Sequence, residues 1–129
     1  MPSSEEVPLW TPDPDRIARA NLTAFIRHIQ AKNPAGAEQV RDYVSLRRWS
    51  VERPEAFWPE VWRFCGVIAE ERSGQDPWEE AVVGLDRMAP PDPKRGPRWF
   101  VGARLNFAEN LLRFSDDHPA LIFWNEQGR

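Results

Sequence analysis

The chain has 129 residues, among them seven Trp, seven Phe and 13 Pro, and its formal net charge at pH 7 is −3. A chain of this length is one modest domain that buries roughly two thirds of its unfolded surface, and its aromatic content predicts a real core. Because both signs of charge are interspersed, no single-sign field supports binding to nucleic acid or to an anionic membrane.

The first elements are an extended lead and a long helix. Residues 1–12 are proline-rich and predict an extended segment. The spacing of apolar residues predicts one helix within TPDPDRIARANLTAFIRHIQAKN (11–33), ended by the sequence NPAG. Thr11 or Asp13 can cap this helix, Pro14 suits its first turn, and Asp15 adds negative charge near its positive end. Its apolar positions are Leu22, Phe25, Ile26 and Ile29.

Two further helices follow at close spacing. The sequence DYVSLRRWS predicts a helix capped by Asp42, and Pro54 keeps Arg53 out of the helical region, so a break is expected there. The sequence PEAFWPEVWRFCG predicts a third helix, within which the ring of Pro59 faces the carbonyl of Glu55 and is expected to bend the first turn. The broad apolar face of that helix consists of Phe57, Trp58, Val61, Trp62 and Cys65.

The second half of the chain reads as short elements and loops. Residues 66–74 predict a polar turn, DPWEEAVVGLDRM is compatible with a short helix, a strand or one of each, and APPDPKRGP (89–97) predicts a loop. Trp99 to Val101 predict a strand, Gly102 a turn, and Asn106 the cap of a helix through Arg113. Residues 120–124 predict an apolar strand, and residues 125–129 the turn of a hairpin.

Cysteine and histidine are the first candidates for chemistry. Cys65 lies on the apolar face of the third predicted helix with no histidine nearby in sequence, so we interpret it as a buried structural thiol. His28 and His118 lie far apart, with no Cys or carboxylate at metal-ligand spacing, and solvated or capping roles are expected for both.

The remaining candidates also favour structural roles. No carboxylate pair stands out as an acid–base pair, because the glutamates fall on helix starts or exposed faces. Ser73–Gly74 resembles a phosphate-binding turn, but no Walker-type or dinucleotide loop is present. The tryptophans keep helical spacing with other apolar residues, which favours a core over a stacking platform. These glutamates are Glu55, Glu60, Glu70, Glu71, Glu79 and Glu80. The chain alone predicts no catalytic, cofactor-binding or metal-binding residue.

The expected compartment follows from the cysteine content and the N-terminus. A single cysteine has no internal disulfide partner, which favours a reducing environment. The N-terminus lacks the basic and apolar regions of a secretory signal, and no window approaches the ~18 apolar residues that span a bilayer. We therefore expect a cytoplasmic protein with no membrane partner.

Three stretches, taken in order, resemble the start of acetoacetyl-CoA synthetases, which belong to the acyl-adenylate-forming ligases. They are PLWTP (8–12) followed by IARANLTAF, LRRWSVERPEAFWPEVWRF (46–64), and RWFVGARLNFAENLL (98–112). The resemblance covers nearly the whole chain, and the joint match is more specific than any single piece. Acetyl-CoA synthetases share a looser version of the last two stretches without the PLWTP opening, so the resemblance favours acetoacetate over acetate.

The resemblance implies a fold, a reaction and a set of partners. It implies a mainly α segment with a few short strands (α+β), residues 1–129 being an incomplete piece of the large N-terminal α/β domain of such ligases. The implied reaction converts acetoacetate, ATP and CoA to acetoacetyl-CoA, AMP and diphosphate, with magnesium as cofactor. The catalytic ATP-binding and C-terminal domains would be the missing partner. Trp99 and Phe100 would anchor the last stretch, with Asn110 satisfying backbone groups or, less favoured, lining the active site.

Three functions remain open from the sequence. The first is the N-terminal segment of an acid–CoA ligase, inactive alone, with an acetyl-CoA synthetase-type parent as a variant. The second is a free-standing, non-catalytic module that docks on a full-length ligase. The third, an unrelated Trp-rich binding domain, is disfavoured by the ordered match.

Overall fold

A computed structural model describes residues 9–86, 96–119 and 121–128, and within them the chain is mainly helical with one two-stranded antiparallel sheet. Residues 1–8 of the predicted lead, most of the predicted 89–97 loop, and Ala120 lie outside the described residues. The fold is mainly α with short strands, as predicted. Its elements are α1 (Pro14–Arg19), α2 (Asn21–Lys32), α3 (Tyr43–Glu52), α4 (Pro54–Cys65), β1 (Glu80–Val83), β2 (Arg98–Val101) and α5 (Phe107–Leu111).

The first predicted helix is two helices, so the prediction of one continuous helix was wrong. Asp13 caps α1 by accepting a 2.8 Å hydrogen bond from the Arg16 amide, and Pro14 occupies the first turn as expected. The chain leaves the helical region at Ala20, where φ is −68° and ψ is 140°. The Thr23 hydroxyl donates a 2.6 Å hydrogen bond to the Ile17 carbonyl, which gives an end carbonyl of α1 a side-chain partner and stabilises the break.

The cap predicted for the next helix is confirmed. A carboxylate oxygen of Asp42 accepts a 2.8 Å hydrogen bond from the Ser45 amide, and the Ser45 hydroxyl accepts a 3.0 Å bond from the Asp42 amide. This reciprocal capping box defines the start of α3. The helix ends where predicted, because Arg53 adopts a non-helical φ of −134° before Pro54.

Helix α4 runs through Pro59 and ends at a left-handed Gly66. Pro59 has no amide hydrogen, so the carbonyl of Glu55 loses its intrahelical partner, yet the helix continues for a further turn and a half. At its end Gly66 has φ +60° and ψ +47°, a conformation that glycine adopts without a Cβ penalty. This helix lies centrally, because it contacts α2, α3 and β1.

The core lies between α2, α3 and α4. Ile29 and Val40 are almost fully buried, and the indole of Trp49 donates a 3.1 Å hydrogen bond to the Ala35 carbonyl. Phe57 and Val61 of α4 pack against this cluster from the other side. The buried members are Phe25, Ile29, Ala37, Val40, Leu46 and Trp49.

A β-hairpin forms the second part of the fold and settles the ambiguity of DPWEEAVVGLDRM in favour of a strand. Glu80 pairs with Val101 and Val82 with Trp99 across the antiparallel ladder. Phe100 has a positive φ of 48°, a conformation that costs an aromatic residue on the order of 1–3 kcal/mol. The predicted turn at Gly102 has φ +81°, and a Cβ there would lie 3.0 Å from the Glu79 carboxylate.

The last elements are shorter than predicted. Asn106 caps α5 as expected, but the helix ends at Leu111 rather than Arg113. Residues 121–124 form no strand within the described chain, so the predicted strand at 120–124 is wrong as far as it is described. An apolar run becomes a strand only when another strand supplies a ladder, and β1 and β2 pair with each other. The turn at 125–128 is present, with its ends bridged between Asn125 and Gly128.

Candidate functional site

A buried glutamate links three parts of the fold. Glu60 of α4 is only 6% exposed, which corrects the prediction that it lies on an exposed face. One of its oxygens lies 2.7 Å from Nε2 of His28 on α2, and the other accepts a 2.6 Å hydrogen bond from Nη1 of Arg63. Since a carboxylate only accepts hydrogen bonds, the imidazole donates through Nε2. His28 is therefore an interhelical partner, and neither solvated nor capping as predicted.

Arg63 extends this chain of charges to the segment before β1. Its Nη2 donates to both carboxylate oxygens of Asp76, at 2.8 and 2.9 Å, and its guanidinium lies 5.5 Å from the ring centre of Trp78. Desolvation lowers the pKa of Arg63, but its hydrogen bonds to Asp76 and Glu60 and the charges of those carboxylates outweigh that effect, so the pKa is raised. The guanidinium thus stays charged and holds its two carboxylates in place.

The Glu60 cluster is defined as His28, Glu60, Arg63 and Asp76. Its hydrogen bonds join α2, α4 and the segment before β1, which indicates a structural role. Each oxygen of Glu60 already has a cationic or hydrogen-bonding partner. Neither His28 nor Glu60 lines the groove or the polar cavity described below.

The stretch from Arg98 to Arg113 joins the hairpin to the end of α4. The ring of Phe100 lies 4.6 Å from Trp62 and 4.9 Å from Trp78, and Trp99 meets Trp58 at 5.9 Å, which confirms the anchoring expected of Trp99 and Phe100. Packing of Phe100 into this aromatic cluster offsets its unfavourable φ. The tryptophan-core prediction is confirmed for Trp49 and Trp78, which are buried, but Trp10, Trp58, Trp99 and Trp124 are exposed.

Two polar side chains, those of Asn110 and Arg113, bind α5 and its C-terminal end to the end of α4 and the residues that follow it. The amide of Asn110 accepts from the Ile68 N–H and donates to the Ile68 carbonyl, both at 2.8 Å. Nη1 of Arg113 donates to the carbonyls of Cys65 and Gly66, also at 2.8 Å, and so caps the C-terminus of α4. The prediction that Asn110 satisfies backbone groups is confirmed.

An apolar groove of about 500 Å³ lies between α2, α3 and α4. Phe25, Leu46 and Phe57 line this groove, and the first two also belong to the buried core. Cys65 is also in the lining. Cys65 is exposed, so the prediction of a buried thiol was wrong. The helical apolar pattern of α4 predicts a covered face, but the packed helices leave the last turn of α4 open to solvent.

The other residues considered in the sequence analysis are scattered. Glu55 pairs with Arg53 at 2.9 Å, Glu70 with Arg104 at 3.5 Å, and Glu79 with Arg72 at 3.6 Å. Glu80 lies in β1, and His118 pairs with the adjacent Asp116 at 3.1 Å. The ion pairs of Glu55, Glu70 and Glu79 are partly or largely exposed, and such pairs contribute little to stability.

A polar cavity of about 470 Å³ surrounds the Ser73–Gly74 turn. Its lining includes the carboxylates of Glu70 and Glu71, which repel a phosphate, and Gly74 serves a tight turn closed by a 2.8 Å bond from the Gln75 amide to the Arg72 carbonyl. In the part of the chain that the structure describes, no three His, Cys, Asp or Glu side chains are grouped to hold a metal ion. Among the described residues, this cavity thus offers the carboxylates of Glu70 and Glu71 and the guanidinium of Arg72, without a group of three metal-ligating side chains.

Large apolar side chains of and beside α5 face outward. Phe107, Leu111, Leu112 and Phe114 are 76%, 65%, 72% and 73% exposed, and we call them the α5 apolar surface. The sequence analysis predicted a helix through Arg113 here and did not predict this exposure. The signal available in the sequence was that Asn106, Asn110 and Arg113, at helical spacing, form a polar stripe suited to backbone groups. No helix in the described residues has the length and apolar character needed to cross a bilayer.

Comparison with known proteins places these features in a family context. The acetyl-coenzyme A synthetase N-terminus family matches residues 43–111, which run from α3 to the end of α5. The acetoacetyl-coenzyme A synthetase of Rhizobium meliloti is 40% identical over 121 residues, and the match covers 94% of this chain and 16% of that protein. The malonamoyl-CoA synthetase of Penicillium aethiopicum is 35% identical over 134 residues, covering 99% of this chain and 16% of that protein.

A solved structure agrees with the sequence matches. The acetoacetyl-CoA synthetase from Streptomyces lividans superposes with a TM-score of 0.62 at 36% sequence identity. The superposition covers 83% of this chain and 14% of that chain. The chain therefore spans about a sixth of the length of the relatives that it matches.

Proposed function

Because this chain belongs to the acetyl-coenzyme A synthetase N-terminus family, we propose that it is the N-terminal structural segment of an acid–CoA ligase. The ordered match of nearly the whole chain to about a sixth of acetoacetyl-CoA synthetases carries this proposal. In such a ligase the segment supplies packing and orientation, while ATP, magnesium and CoA bind to the remainder of the polypeptide. That remainder is the proposed partner.

The proposed parent reaction uses acetoacetate as the acid. Acetoacetyl-CoA synthetases of Rhizobium meliloti, Danio rerio and Macaca fascicularis are all similar to this chain. This similarity supports acetoacetate over acetate as the acid. The reaction forms an acyl-adenylate with release of diphosphate and then a CoA thioester with release of AMP. The malonamoyl-CoA synthetase among the relatives shows that this segment also accompanies ligases named for another acid.

The isolated chain is proposed to be inactive, since it matches only about a sixth of the length of its relatives, and catalysis of phosphate transfer requires positioned groups that stabilise the developing charge. Incubation of the chain with acetoacetate, ATP, magnesium and CoA is expected to release no AMP above a blank without protein. Acid-dependent release of AMP would contradict the proposal.

A graft tests the structural role directly. This chain replaces the matching N-terminal segment of the Rhizobium meliloti acetoacetyl-CoA synthetase, and acetoacetate-dependent AMP release is measured against the intact enzyme. We expect the graft to fold and to retain activity. An inactive or insoluble graft would contradict the structural equivalence and favour the free-standing module.

A further inference from the structure

We propose that the α5 apolar surface is the face on which the remainder of the ligase polypeptide packs. This inference rests on the proposed function and assigns the interface within it. The surface consists of Phe107, Leu111, Leu112 and Phe114.

The exposure of this surface is the first observation. Four large apolar side chains within eight residues are each about two-thirds exposed or more. Contiguous apolar patches on soluble proteins mark sites of interaction with other polypeptides. A five-residue helix is too short to form on its own, so α5 depends on contacts outside itself.

The polar contacts of α5 determine which way it faces. Asn110 bonds both backbone groups of Ile68, and Arg113 bonds the carbonyls of Cys65 and Gly66. Turning the helix to bury Leu111 would break these bonds and leave backbone groups without partners. The segment thus holds α5 by its polar side and presents its apolar side outward, the reverse of an ordinary surface helix.

The length of the relatives identifies the occupant. The matched part is 16% of the Rhizobium meliloti enzyme and 14% of the Streptomyces lividans chain, so most of each relative lies outside it. A surface of two Phe and two Leu side chains, with only the Arg113 guanidinium beside it at 4.9 Å from the Phe114 ring centre, suits the apolar face of a folded polypeptide better than a charged ligand. The groove between α2, α3 and α4 is a weaker candidate, because Phe25 and Leu46 in its lining are already buried.

The test combines the graft with a matched pair of double variants. The double variant Leu111→Gln with Leu112→Gln makes this part of the α5 apolar surface polar. Glutamine is a good helix former, so the substitutions should leave the helix itself intact. Val44→Gln with Val51→Gln changes two α3 side chains that are similarly exposed, at 64% and 69%, and that do not line the groove. We expect the α5 pair to reduce acetoacetate-dependent activity of the soluble graft at least tenfold, and the α3 pair to leave it within twofold.

The same variants in the 129-residue chain separate an interface from an internal packing role. We expect the α5 pair to leave the unfolding midpoint of the chain unchanged, because its side chains are exposed there. Loss of stability in the isolated chain would overturn the inference by showing an internal role. Equal activity of both variant grafts would overturn it while leaving the proposed function standing.

Two other outcomes also decide the matter. An inactive unsubstituted graft would overturn the proposed function and the inference with it. The isolated chain could also form a dimer that the α5 double variant dissociates. If the graft that carries the same double variant then keeps its activity, the surface belongs to an interface with a second copy, and the inference is overturned.

Discussion

Two glutamates of α4 illustrate how tertiary context separates similar residues. Glu55 lies in the first turn and pairs with Arg53 in solvent, whereas Glu60, little more than one turn later, is buried between His28 and Arg63. Exposed pairs contribute little because water competes with them, but a buried charge is costly once a partner is lost. At the scale of single residues, Glu60 is thus a buried charge within the described chain, and the loss of its partners should cost more than the loss of an exposed pair.

Replacing Glu60 should therefore destabilise the chain more than replacing Glu55. Removing one partner of a buried ion pair costs roughly 3–5 kcal/mol, and we expect about 2 kcal/mol for Glu60→Gln because Arg63 keeps Asp76 and is partly exposed. Urea unfolding of this variant and of Glu55→Gln, the exposed control, measures the difference. Equal losses of stability in the two variants would contradict the assigned role of Glu60.

The capping carboxylate of Asp42 predicts a dependence of stability on acid pH. The Ser45 hydroxyl and amide hydrogen bonds hold the pKa of Asp42 below its ordinary value of 3.8. The ionised cap therefore stabilises the fold fully above the unfolded pKa and loses this effect as pH falls through the lower folded pKa. We expect the melting temperature of the native chain to exceed that of Asp42→Asn at about pH 6 and the gap to narrow towards about pH 3.

The control for this prediction is Glu38→Gln, an exposed acid on the loop before α3. Its melting temperature should follow that of the native chain across the same range. A gap between the native chain and Asp42→Asn that stays constant with pH would show that the cap acts without its charge.

The exposure of Cys65 gives a prediction opposite to the one made from sequence. Because the thiol is exposed at the end of α4, we expect iodoacetamide to modify it in the folded chain without denaturant. Mass spectrometry before and after addition of urea measures the fraction modified, with Cys65→Ser as the unreactive control. Modification that appears only after unfolding would restore the interpretation of a buried thiol.

At the scale of elements, α5 is held by side chains rather than by its own length. The helix has five residues, and its docking depends on Asn110 at Ile68 and Arg113 at the end of α4. Segment 66–70 is also joined to this region by a 2.8 Å bond from the Glu70 amide to the Arg104 carbonyl. The stretch from residue 98 to 113 is thus a clamp that connects the hairpin to α4.

Removing the Asn110 amide should release this clamp. We expect Asn110→Ala to cost about 2 kcal/mol, since the N–H and C=O of Ile68 each lose a partner worth about 1 kcal/mol. Hydrogen exchange of the Ile68 amide should accelerate, while that of α3 stays unchanged. Glu109→Ala, an exposed neighbour on the same helix, is the control, and equal exchange at Ile68 in both variants would contradict the clamp.

At the scale of the whole molecule, the apolar core is small relative to the apolar surface. Within the described residues, seven hydrophobic residues are buried, whereas the α5 apolar surface and Leu121 to Phe123 are exposed. Burial of apolar area is the main favourable contribution to folding, so a chain that leaves this much exposed is only marginally stable by itself.

The isolated chain is therefore expected to bind the dye ANS, to self-associate with rising concentration and to unfold over a broad range. The active graft should bind less dye and melt sharply, because the remainder of the ligase covers the exposed faces. Sedimentation and calorimetry at matched concentrations provide the measurement. A monomeric, cooperatively folding 129-residue chain would contradict this expectation and favour the free-standing module.

Local signals in the sequence determined the caps, the break before Pro54 and the family. Asp13, Asp42, Asn106 and Gly102 each act within a few residues of themselves, so their roles follow from short-range chemistry and are confirmed. The order of three matching stretches likewise needs no three-dimensional information. Short-range rules were also sufficient for the mainly α fold with short strands.

Tertiary structure decided what each side chain faces. Glu60 and Cys65 lie five positions apart on one helix, and only the packing of α2 and of the segment before β1 buries the first while the groove exposes the second. Periodicity reports that a face is apolar, but burial depends on which distant element packs against that face, and that information is not local to any stretch of sequence.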